Sequence, residues 1–284
     1  MKKGYLGVML DCSRNAVMSV AELKNFILTL KKTGYNCLQL YTEDTYEIEG
    51  EPQFGYRRGK YTKAELKEID AFAKKNGVEL MPCIQTLAHL NQIFRYPKYQ
   101  NINDANDVLL VDDERTYALI EKMIATCAEC FTSRNIHIGM DEAHWLCRGR
   151  YFDLHGASTR FNVLLRHLSR VSQIAEKYGF KPMMWSDMFF RIAGKGEYYH
   201  KKKIPGWVME KEHENLQLVY WGYYNQVADL VDCMMQHHLD FNREVWVAGG
   251  AWKWRGFESD NRKSLSQTKV LLGSAKKQGI NNIL

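Results

Sequence analysis

The sequence predicts an α/β protein of the (β/α)8 barrel class, with the last strand at or beyond the C-terminal end of the chain. Short β-rich runs alternate with segments of helical period, which is typical of βα units around a parallel sheet. Connections that follow strands are long and polar, whereas those that enter strands, such as residues 75–77, are short. The length of 284 residues suits one barrel.

Eight strands are predicted in order, and the eighth only opens at the end of the chain. They cover residues 5–10, 37–41, 78–84, 135–139, 182–185, 216–221, 244–249 and 280–284. Helices are predicted at about residues 20–32, 63–76, 113–131, 158–178, 226–237 and 265–278. Ser19 could cap the first helix, and Gly34 ends it. We therefore expect a single TIM barrel domain over residues 1–284, truncated at its C-terminus because the closing strand barely begins.

Composition and charge exclude several classes of partner. The formal charge of +6 is spread along the chain without an arginine-rich arm, so nucleic acid is not an expected partner. We find no secretory signal and no apolar run of membrane-spanning length. The seven cysteines are irregularly spaced and indicate neither a disulfide framework nor a zinc ribbon. These features predict a cytoplasmic protein without a membrane partner; they leave its oligomeric state open.

Carboxylates, one arginine and many aromatic side chains follow the predicted strands. The loops after the strands of such a barrel meet at one face, so we expect these side chains to surround one pocket. Tryptophan rings stack on pyranose faces, and charged groups bind hydroxyls in fixed directions, so the set suits a sugar. The candidates for substrate contact are Arg14, His89, His137, Trp185, Asp187, Trp221, Tyr223, Tyr224, Trp252 and Trp254.

Two adjacent carboxylates, Asp141 and Glu142, follow the fourth strand. Both cannot ionise cheaply in a partly desolvated pocket, so one should hold its proton. Glycoside cleavage needs one protonated and one ionised carboxyl group. The protonated group donates a proton to the leaving oxygen, and the anion stabilises the positive charge that develops on the substrate. We predict that this pair is catalytic.

The run His-Ile-Gly-Met-Asp-Glu at residues 137–142 is similar to the His-x-Gly-x-Asp-Glu signature of glycoside hydrolase family 20, the β-N-acetylhexosaminidases. The run Leu-Asp-Cys-Ser-Arg at 10–14 resembles that family's sugar-binding arginine segment. Residues 81–89 resemble its third-strand segment that ends in histidine, and Tyr61-Thr62 resembles the start of its second helix. The similarity spans nearly the whole chain.

This resemblance implies a retaining exo-β-N-acetylhexosaminidase without metal or cofactor, in which the 2-acetamido oxygen of the sugar attacks the anomeric carbon. It releases terminal β-linked N-acetylglucosamine or N-acetylgalactosamine from a glycan. Asp141 would orient the acetamido N–H and stabilise the oxazolinium ion, while Glu142 would protonate the leaving group and then activate water. Arg14 would hold the remote ring hydroxyls. Trp185 and Trp221 would wall the acetamido pocket.

Departures from the family's pattern indicate a divergent branch. Residues 85–88, Gln-Thr-Leu-Ala, stand where better-known members have acidic residues and a Pro-Gly. Strand seven carries Trp252 and Trp254 where a tyrosine normally grips the acetamido oxygen, so Tyr223 or Tyr224 is the expected substitute. We expect the strand-eight Trp and Glu of the family beyond Leu284, and we expect its usual N-terminal domain to be absent.

Structural interpretations stay open for several of these residues. The two carboxylates could form a solvated surface pair, Arg14 could pair with Asp11, and His89 and His137 could be structural. Either late tryptophan could fill the barrel or form a sugar platform. Two other functions also stay open, a metal-dependent barrel hydrolase and a non-catalytic carbohydrate-binding barrel. The absence of His-x-His and His-Glu-x-x-His motifs speaks against the first, and the intact acid pair speaks against the second.

Overall fold

A computed structural model describes residues 4–14, 17–211 and 213–284 of the protein. Eight parallel strands follow one another in chain order, and each is hydrogen-bonded to the next. The strands are β1 Gly7–Asp11, β2 Cys37–Tyr41, β3 Glu79–Cys83, β4 Asn135–His137, β5 Lys181–Trp185, β6 Gln217–Trp221, β7 Glu244–Ala248 and β8 Asn282–Ile283. This order is that of a TIM barrel, so the predicted fold class is confirmed.

Helices connect the strands and pack around the outside of the barrel. They are α1 Val20–Lys32, α2 Lys63–Lys75, α3 Pro97–Gln100, α4 Glu114–Cys130, α5 Arg150–His155, α6 Arg160–Lys177, α7 Asp187–Ala193, α8 Gly206–Lys211, α9 Ala228–Leu239 and α10 Asn261–Lys277. In α1, the Ser19 hydroxyl accepts the Glu22 backbone N–H at 3.3 Å, which is the predicted cap. Leu23, Ile27 and Leu30 recur at helical spacing and are buried against the sheet.

The barrel is nearly closed by the short strand β8. The Ile283 N–H donates to the Tyr5 carbonyl at 2.9 Å, and Leu6 and Ile283 form a parallel bridge. On the other side, the Leu284 N–H donates to the Val247 carbonyl at 2.8 Å. The strand therefore lies within the predicted range 280–284, and its contacts on both sides cover edges that would otherwise be unpaired.

Polar side chains join the strands at their amino ends. The Tyr5 hydroxyl donates to Glu79 Oε2 at 2.9 Å, and the Gln217 amide donates to Asn135 Oδ1 at 3.1 Å. The Trp246 indole N–H donates to Gln217 Oε1 at 2.9 Å. These bonds tie together the end of the barrel opposite the predicted active site, which is the end that normally serves stability.

Two differences from the predicted elements matter for the site. Strand β4 ends at His137 and not at residue 139, because Gly139 adopts a φ of +71° that breaks the strand. The four shortest helices, α3, α5, α7 and α8, are not predicted at all. Each has seven residues or fewer, so tertiary packing rather than a periodic pattern must stabilise it.

Candidate active site

The turn after β4 carries the two predicted catalytic carboxylates in an unusual backbone conformation. Gly139, Met140 and Glu142 have φ values of +71°, +74° and +51°. The left-handed backbone conformation costs conformational free energy at a non-glycine residue, so the surrounding contacts must hold the turn in place. A Cβ atom at Gly139 would overlap Gln85 Oε1, which also accepts the Met140 N–H at 3.2 Å. The glycine of the His-x-Gly-x-Asp-Glu run is therefore required by both backbone conformation and space.

We expect the change Gly139→Ala to destabilise the protein by about 2 kcal/mol or more, because it adds left-handed strain to a steric clash. Urea denaturation measures this free energy of unfolding. Gly273→Ala is the matched control, because Gly273 lies in α10 without a positive φ and with open space around its Cβ position. That control should stabilise the protein by up to about 1 kcal/mol. Equal effects of the two changes would contradict the proposed role of Gly139.

Asp141 is a largely buried carboxylate with two side-chain partners. The Gln85 amide donates to Oδ1 at 2.7 Å, and His89 Nε2 lies 3.1 Å from Oδ2. Burial by itself would raise the pKa of Asp141, but the charge and hydrogen bond of His89 together with the Gln85 amide outweigh it and lower the pKa. Asp141 is therefore an anion at neutral pH.

His89 follows β3 and lies between the carboxylates of Asp107 and Asp141. Its backbone has a φ of +59° and its N–H donates to Asp107 Oδ2 at 3.2 Å, while Nε2 faces Asp141 and lies 3.9 Å from Glu142 Oε2. Burial alone would lower the pKa of His89, but the Asp141 carboxylate overcomes this effect and raises it to about 9. The imidazole is therefore charged at neutral pH and is ion-paired with Asp141.

This ion pair predicts a pH dependence of stability. The pKa of His89 is higher in the folded state than its ordinary value of 6.5, so its stabilising effect is complete below pH 6.5 and is lost as the pH rises through about 9. We expect the stability difference between the wild type and His89→Gln to shrink over this window by up to about 3 kcal/mol, at about 1.4 kcal/mol per pKa unit. Urea denaturation across the window measures it.

His144→Gln is the control for this experiment. Burial, followed by the Arg191 charge, lowers the pKa of His144, so its titration lies below the window. The stability difference between the wild type and this control should stay constant there. A constant difference for His89→Gln as well would show that His89 is not the charged partner of Asp141.

Glu142 is the more exposed member of the catalytic pair. Its side chain is 39% exposed, compared with 16% for Asp141, so a leaving group or a water molecule can reach it. Its backbone N–H donates to Asp187 Oδ2 at 3.1 Å, and its Oε1 lies 3.2 Å from Arg191 Nη2. The turn thus presents one enclosed carboxylate beside one accessible carboxylate.

Asp187 begins helix α7 at the end of β5 and is completely buried. Its Oδ2 accepts both the Glu142 N–H and Arg191 Nε, the latter at 2.9 Å. Burial, followed by the charge of Asp141, raises the pKa of Asp187 although Arg191 opposes the effect. Asp187 therefore supports the Glu142 turn from within the protein, without exposed surface of its own. Its contact with a substrate stays a prediction.

Arg14 projects from the loop after β1 to Glu43 at the end of β2. Its Nη1 lies 2.5 Å from Glu43 Oε1, and its side chain is 63% exposed. Asp11 instead accepts the backbone N–H and hydroxyl of Ser13, both at 2.7 Å. The alternative pairing of Arg14 with Asp11 is therefore wrong, and the exposed guanidinium keeps donors for a ligand.

His137 is the last residue of β4 and has no exposed surface. Its Nδ1 accepts the Gly139 N–H at 3.1 Å, and its ring packs 4.6 Å from the Trp185 ring. Burial lowers the pKa of His137 to about 3, so the ring is neutral. These contacts support the structural interpretation of His137, as a residue that fixes the turn, and its contact with a substrate stays a prediction.

A continuous row of aromatic rings leads from the barrel mouth to its rim. Trp221 is nearly buried and stacks on Tyr223 with centroids 5.1 Å apart. Tyr223 also contacts Trp254, at 5.3 Å, and the indole N–H of Trp254 donates to the Tyr224 hydroxyl at 3.1 Å. Trp254 and Tyr224 are 46% and 41% exposed. The row therefore offers a ring surface that begins inside the site and ends in solvent.

Trp252 fills space behind this row. It is 3% exposed, and its indole N–H reaches both the Tyr223 carbonyl and Gln267 Oε1. The Lys263 ammonium lies 3.6 Å from its ring centroid and covers one face. The two interpretations of these tryptophans therefore apply to different residues. Trp252 packs inside the protein, whereas the Trp254 ring stays accessible and could form a sugar platform.

Three further observations concern metals, membranes and thiols. In the described ranges, no group of three or more His, Cys, Asp or Glu side chains could hold a metal ion. A search of the same residues finds no helix with the length and apolar character needed to cross a bilayer. All seven cysteines are unpaired, and only Cys233 is partly exposed.

The model of the glycosyl hydrolase family 20 catalytic domain matches residues 4–270. The chain belongs to glycosyl hydrolase family 20. The resemblance seen in the β4 motif is thereby confirmed, and so is the prediction of a glycoside hydrolase at the level of the family.

The curated relatives that the chain resembles are distant in sequence. Hexosaminidase D of Bos taurus is 25% identical over 184 residues, which cover 62% of this chain and 53% of that protein. Hexosaminidase D of Homo sapiens is also 25% identical, and the match covers 62% of this chain and 38% of that protein. The chain thus spans about half, or less, of the length of these relatives.

Solved family 20 structures share the fold. The exo-β-N-acetylglucosaminidase of Vibrio harveyi, in complex with N-acetylglucosamine, has a TM-score of 0.65 at 18% identity and covers 88% of this chain and 42% of its own. The N-acetyl-β-hexosaminidase of Streptomyces plicatus, in complex with Thio-NAglucal, has a TM-score of 0.66 at 22% identity. That match covers 92% of this chain and 54% of the Streptomyces chain.

Two residues of this family 20 site carry no clear signal in the sequence. Gln85 bonds to Asp141 and also donates to the Tyr41 hydroxyl at 2.9 Å, yet in sequence it belongs only to a segment that departs from the family's pattern. Arg191 contacts both Asp187 and Glu142. Its spacing of four residues from Asp187 would indicate a shared helix face, but helix α7 is too short to be recognised.

Proposed function

We propose that this chain is the catalytic core of a retaining exo-β-N-acetylhexosaminidase that releases terminal N-acetylglucosamine or N-acetylgalactosamine from a glycan. The observation that carries the proposal is the pair at the end of β4, in which Asp141 is held as an enclosed anion beside the accessible Glu142. Family membership and relatives named as hexosaminidases support it. So do the related structures with N-acetylglucosamine in the complex.

In the first step, the acetamido oxygen of the bound sugar attacks the anomeric carbon. Asp141 accepts the acetamido N–H, and its charge stabilises the oxazolinium ion that forms. Glu142 donates its proton to the glycosidic oxygen, the bond from that oxygen to the anomeric carbon breaks, and the aglycone leaves as an alcohol. The negative charge of Asp141 suits this role because the positive charge develops beside it.

In the second step, the Glu142 carboxylate takes a proton from water and the resulting oxygen attacks the anomeric carbon. The oxazolinium ring opens, and the acetamide is restored. Two inversions at one carbon leave the sugar with its original β configuration, and Glu142 regains the proton that it needs for the next turnover.

Other side chains are proposed to orient the sugar. Arg14 supplies exposed donors to the ring hydroxyls while Glu43 fixes its direction. Trp221, and Trp185 at the end of β5, wall the acetamido group. Tyr223 is the preferred partner for the acetamido oxygen, because its ring stacks on Trp221 inside the site, whereas Tyr224 lies at the exposed rim.

Hydrolysis of a chromogenic N-acetyl-β-glucosaminide tests the proposal. The wild type should cleave it, NMR should show the β-anomer as the first product, and a thiazoline analogue of the oxazolinium ion should inhibit competitively. The matching β-glucoside lacks the acetamide and should react far more slowly. Cleavage of both sugars at similar rates would contradict participation of the acetamide.

The same assay separates the two alternative functions. A non-catalytic carbohydrate-binding barrel would bind N-acetylglucosamine without turnover, and a metal-dependent hydrolase would lose activity with a chelator. A cytoplasmic location remains a separate proposal, supported by the seven unpaired cysteines. Oxidation-state mapping of these thiols in cell extracts would test it.

A further inference from the structure

Gln85 lies against the catalytic turn, two residues after the end of β3, and has no exposed surface. Its Nε2 donates to Asp141 Oδ1 at 2.7 Å and to the Tyr41 hydroxyl at 2.9 Å. We propose that Gln85 is a positioning residue that holds the Asp141 carboxylate towards the acetamido group, and that Tyr41 links it to the residues that bind the sugar ring. This inference rests on the proposed function, because it names the group that directs Asp141 in that reaction.

The orientation of the Gln85 amide is fixed by its neighbours. The ionised Asp141 carboxylate only accepts hydrogen bonds, whereas the Met140 N–H only donates and lies 3.2 Å from Oε1. The amide nitrogen must therefore face Asp141, and the amide oxygen must face Met140. A Cβ atom at Gly139 would overlap Oε1, so the turn packs closely on the amide. Gln85 thus offers Asp141 one donor from a single direction.

Asp141 is held at both of its carboxylate oxygens. Gln85 donates to Oδ1, and His89 Nε2 lies 3.1 Å from Oδ2. The contact with His89 alone would let the carboxylate rotate about its bond to Cβ, and the second contact removes this freedom. An acceptor that is already aligned needs no reorganisation when the positive charge forms on the sugar. The contribution of Gln85 should therefore appear in the rate of the chemical step.

Tyr41 continues the hydrogen-bonded chain on the other side of Gln85. Its hydroxyl accepts from the Gln85 amide and donates its one proton to Glu43 Oε1 at 3.3 Å. The same Glu43 oxygen lies 2.5 Å from Arg14 Nη1. Both Tyr41 and Glu43 are buried. The chain therefore joins the arginine proposed to hold the ring hydroxyls to the carboxylate proposed to hold the acetamide.

Gln85→Met keeps the length of the side chain and removes the donors. We expect kcat to fall about 10 to 100-fold, because a misdirected Asp141 stabilises the oxazolinium ion less well. The loss should be the same for good and poor leaving groups, and KM should change little. In an Asp141→Asn background the same change should cost less than about twofold, because no carboxylate remains to be positioned.

Tyr41→Phe tests the link to the ring-binding residues. It removes one hydroxyl, retains the ring, and loosens both neighbours of Tyr41 in the chain. We expect kcat about threefold lower and KM about threefold higher than in the wild type. Unchanged values of both constants would overturn the link. This mild change also keeps the inference testable if Gln85→Met prevents folding.

Gln39→Met is the matched control. Gln39 on β2 is also a completely buried amide of the barrel, but among the described groups its Nε2 contacts only the sulfur atoms of Met81 and Met183. The change can alter stability, but kcat and KM should stay near the wild-type values. If it lowered kcat as much as Gln85→Met, the loss would reflect general packing of the barrel, and the inference would be wrong.

Titratable groups from several elements surround Asp141. Among the described residues they are Tyr41 on β2, Cys83 on β3, His89 after β3, His137 on β4, Glu142 in the turn, Asp187 on α7 and Tyr223 after β6. Burial raises the pKa of the tyrosines and the thiol well above their ordinary values and lowers the pKa of His137 to about 3, so these four stay neutral. Gln85→Met replaces none of these groups.

Carboxyl carbon-13 titration of the ligand-free proteins provides a readout that is independent of turnover. The Gln85 amide favours the ionised form of Asp141, so its removal should raise the pKa of Asp141 by about one unit. Gln39→Met should leave that pKa in place. An unchanged pKa in Gln85→Met, or a loss of kcat that depends on the leaving group, would overturn the inference. Absence of hydrolysis by the wild type would instead overturn the proposed function, and the titration would still decide whether Gln85 holds Asp141.

Discussion

Replacing Glu142 with glutamine is expected to lower kcat by about two to four orders of magnitude on a substrate with a poor leaving group. The amide occupies the same place beside Arg191 but cannot donate a proton to the glycosidic oxygen or take one from water. A series of aryl N-acetyl-β-glucosaminides measures the effect. With a very good leaving group, protonation matters little to the first step, so the loss there should be much smaller.

Addition of azide sharpens the test of Glu142. A small anion needs no general base, so it should restore part of the activity of Glu142→Gln on the good leaving group and should yield the β-glycosyl azide. Equal losses for good and poor leaving groups, with no rescue, would show that the proton donor is another residue. Circular dichroism and denaturation of the variant exclude unfolding as the cause.

Asp141→Asn is expected to lower kcat by about two to three orders of magnitude on acetamido sugars with any leaving group. The change removes the negative charge that would stabilise the oxazolinium ion, and it leaves the His89 imidazolium without its closest partner. Because the positive charge forms with either kind of leaving group, the loss should not depend on the aglycone. The same aryl series measures it, and affinity for the thiazoline should fall in parallel.

Asp107→Asn is the control for Asp141. Asp107 lies on the other side of His89, with Oδ2 3.9 Å from Nδ1, and it does not adjoin the catalytic turn. The same change of charge there should reduce activity only slightly. If Asp107→Asn were as damaging as Asp141→Asn, the charge state of His89, and not the anion beside the sugar, would be the decisive factor.

The barrel could be predicted because its long elements carry repeated local signals. Helix α1 spans Val20–Lys32 as predicted, since a cap at Ser19 and an apolar stripe define both its start and its buried face. Strand β2 also agrees, at Cys37–Tyr41. The short helices escape prediction because fewer than two turns give no measurable period.

The catalytic pair could be predicted from spacing and position, whereas its surroundings could not. The motif at residues 137–142 directly follows a predicted strand. In a TIM barrel the active site lies at the C-terminal ends of the strands, so this position in the sequence predicts a place in the active site. Arg191 reaches the site through a short helix that the pattern does not reveal. His137 and Trp252 look like ligand-binding residues in sequence, but burial depends on three-dimensional packing that no local run of residues specifies.

The left-handed turn after β4 also limits how this protein can be altered. Because Gly139, Met140 and Glu142 have positive φ values and the Glu142 N–H is bonded to Asp187, the main chain fixes the point from which the Glu142 side chain extends. In Glu142→Asp the side chain is shorter by one methylene group, and the loop could not move to bring the carboxylate back to its original position. Directed evolution towards new substrates should therefore succeed at the aromatic rim and fail at the turn itself.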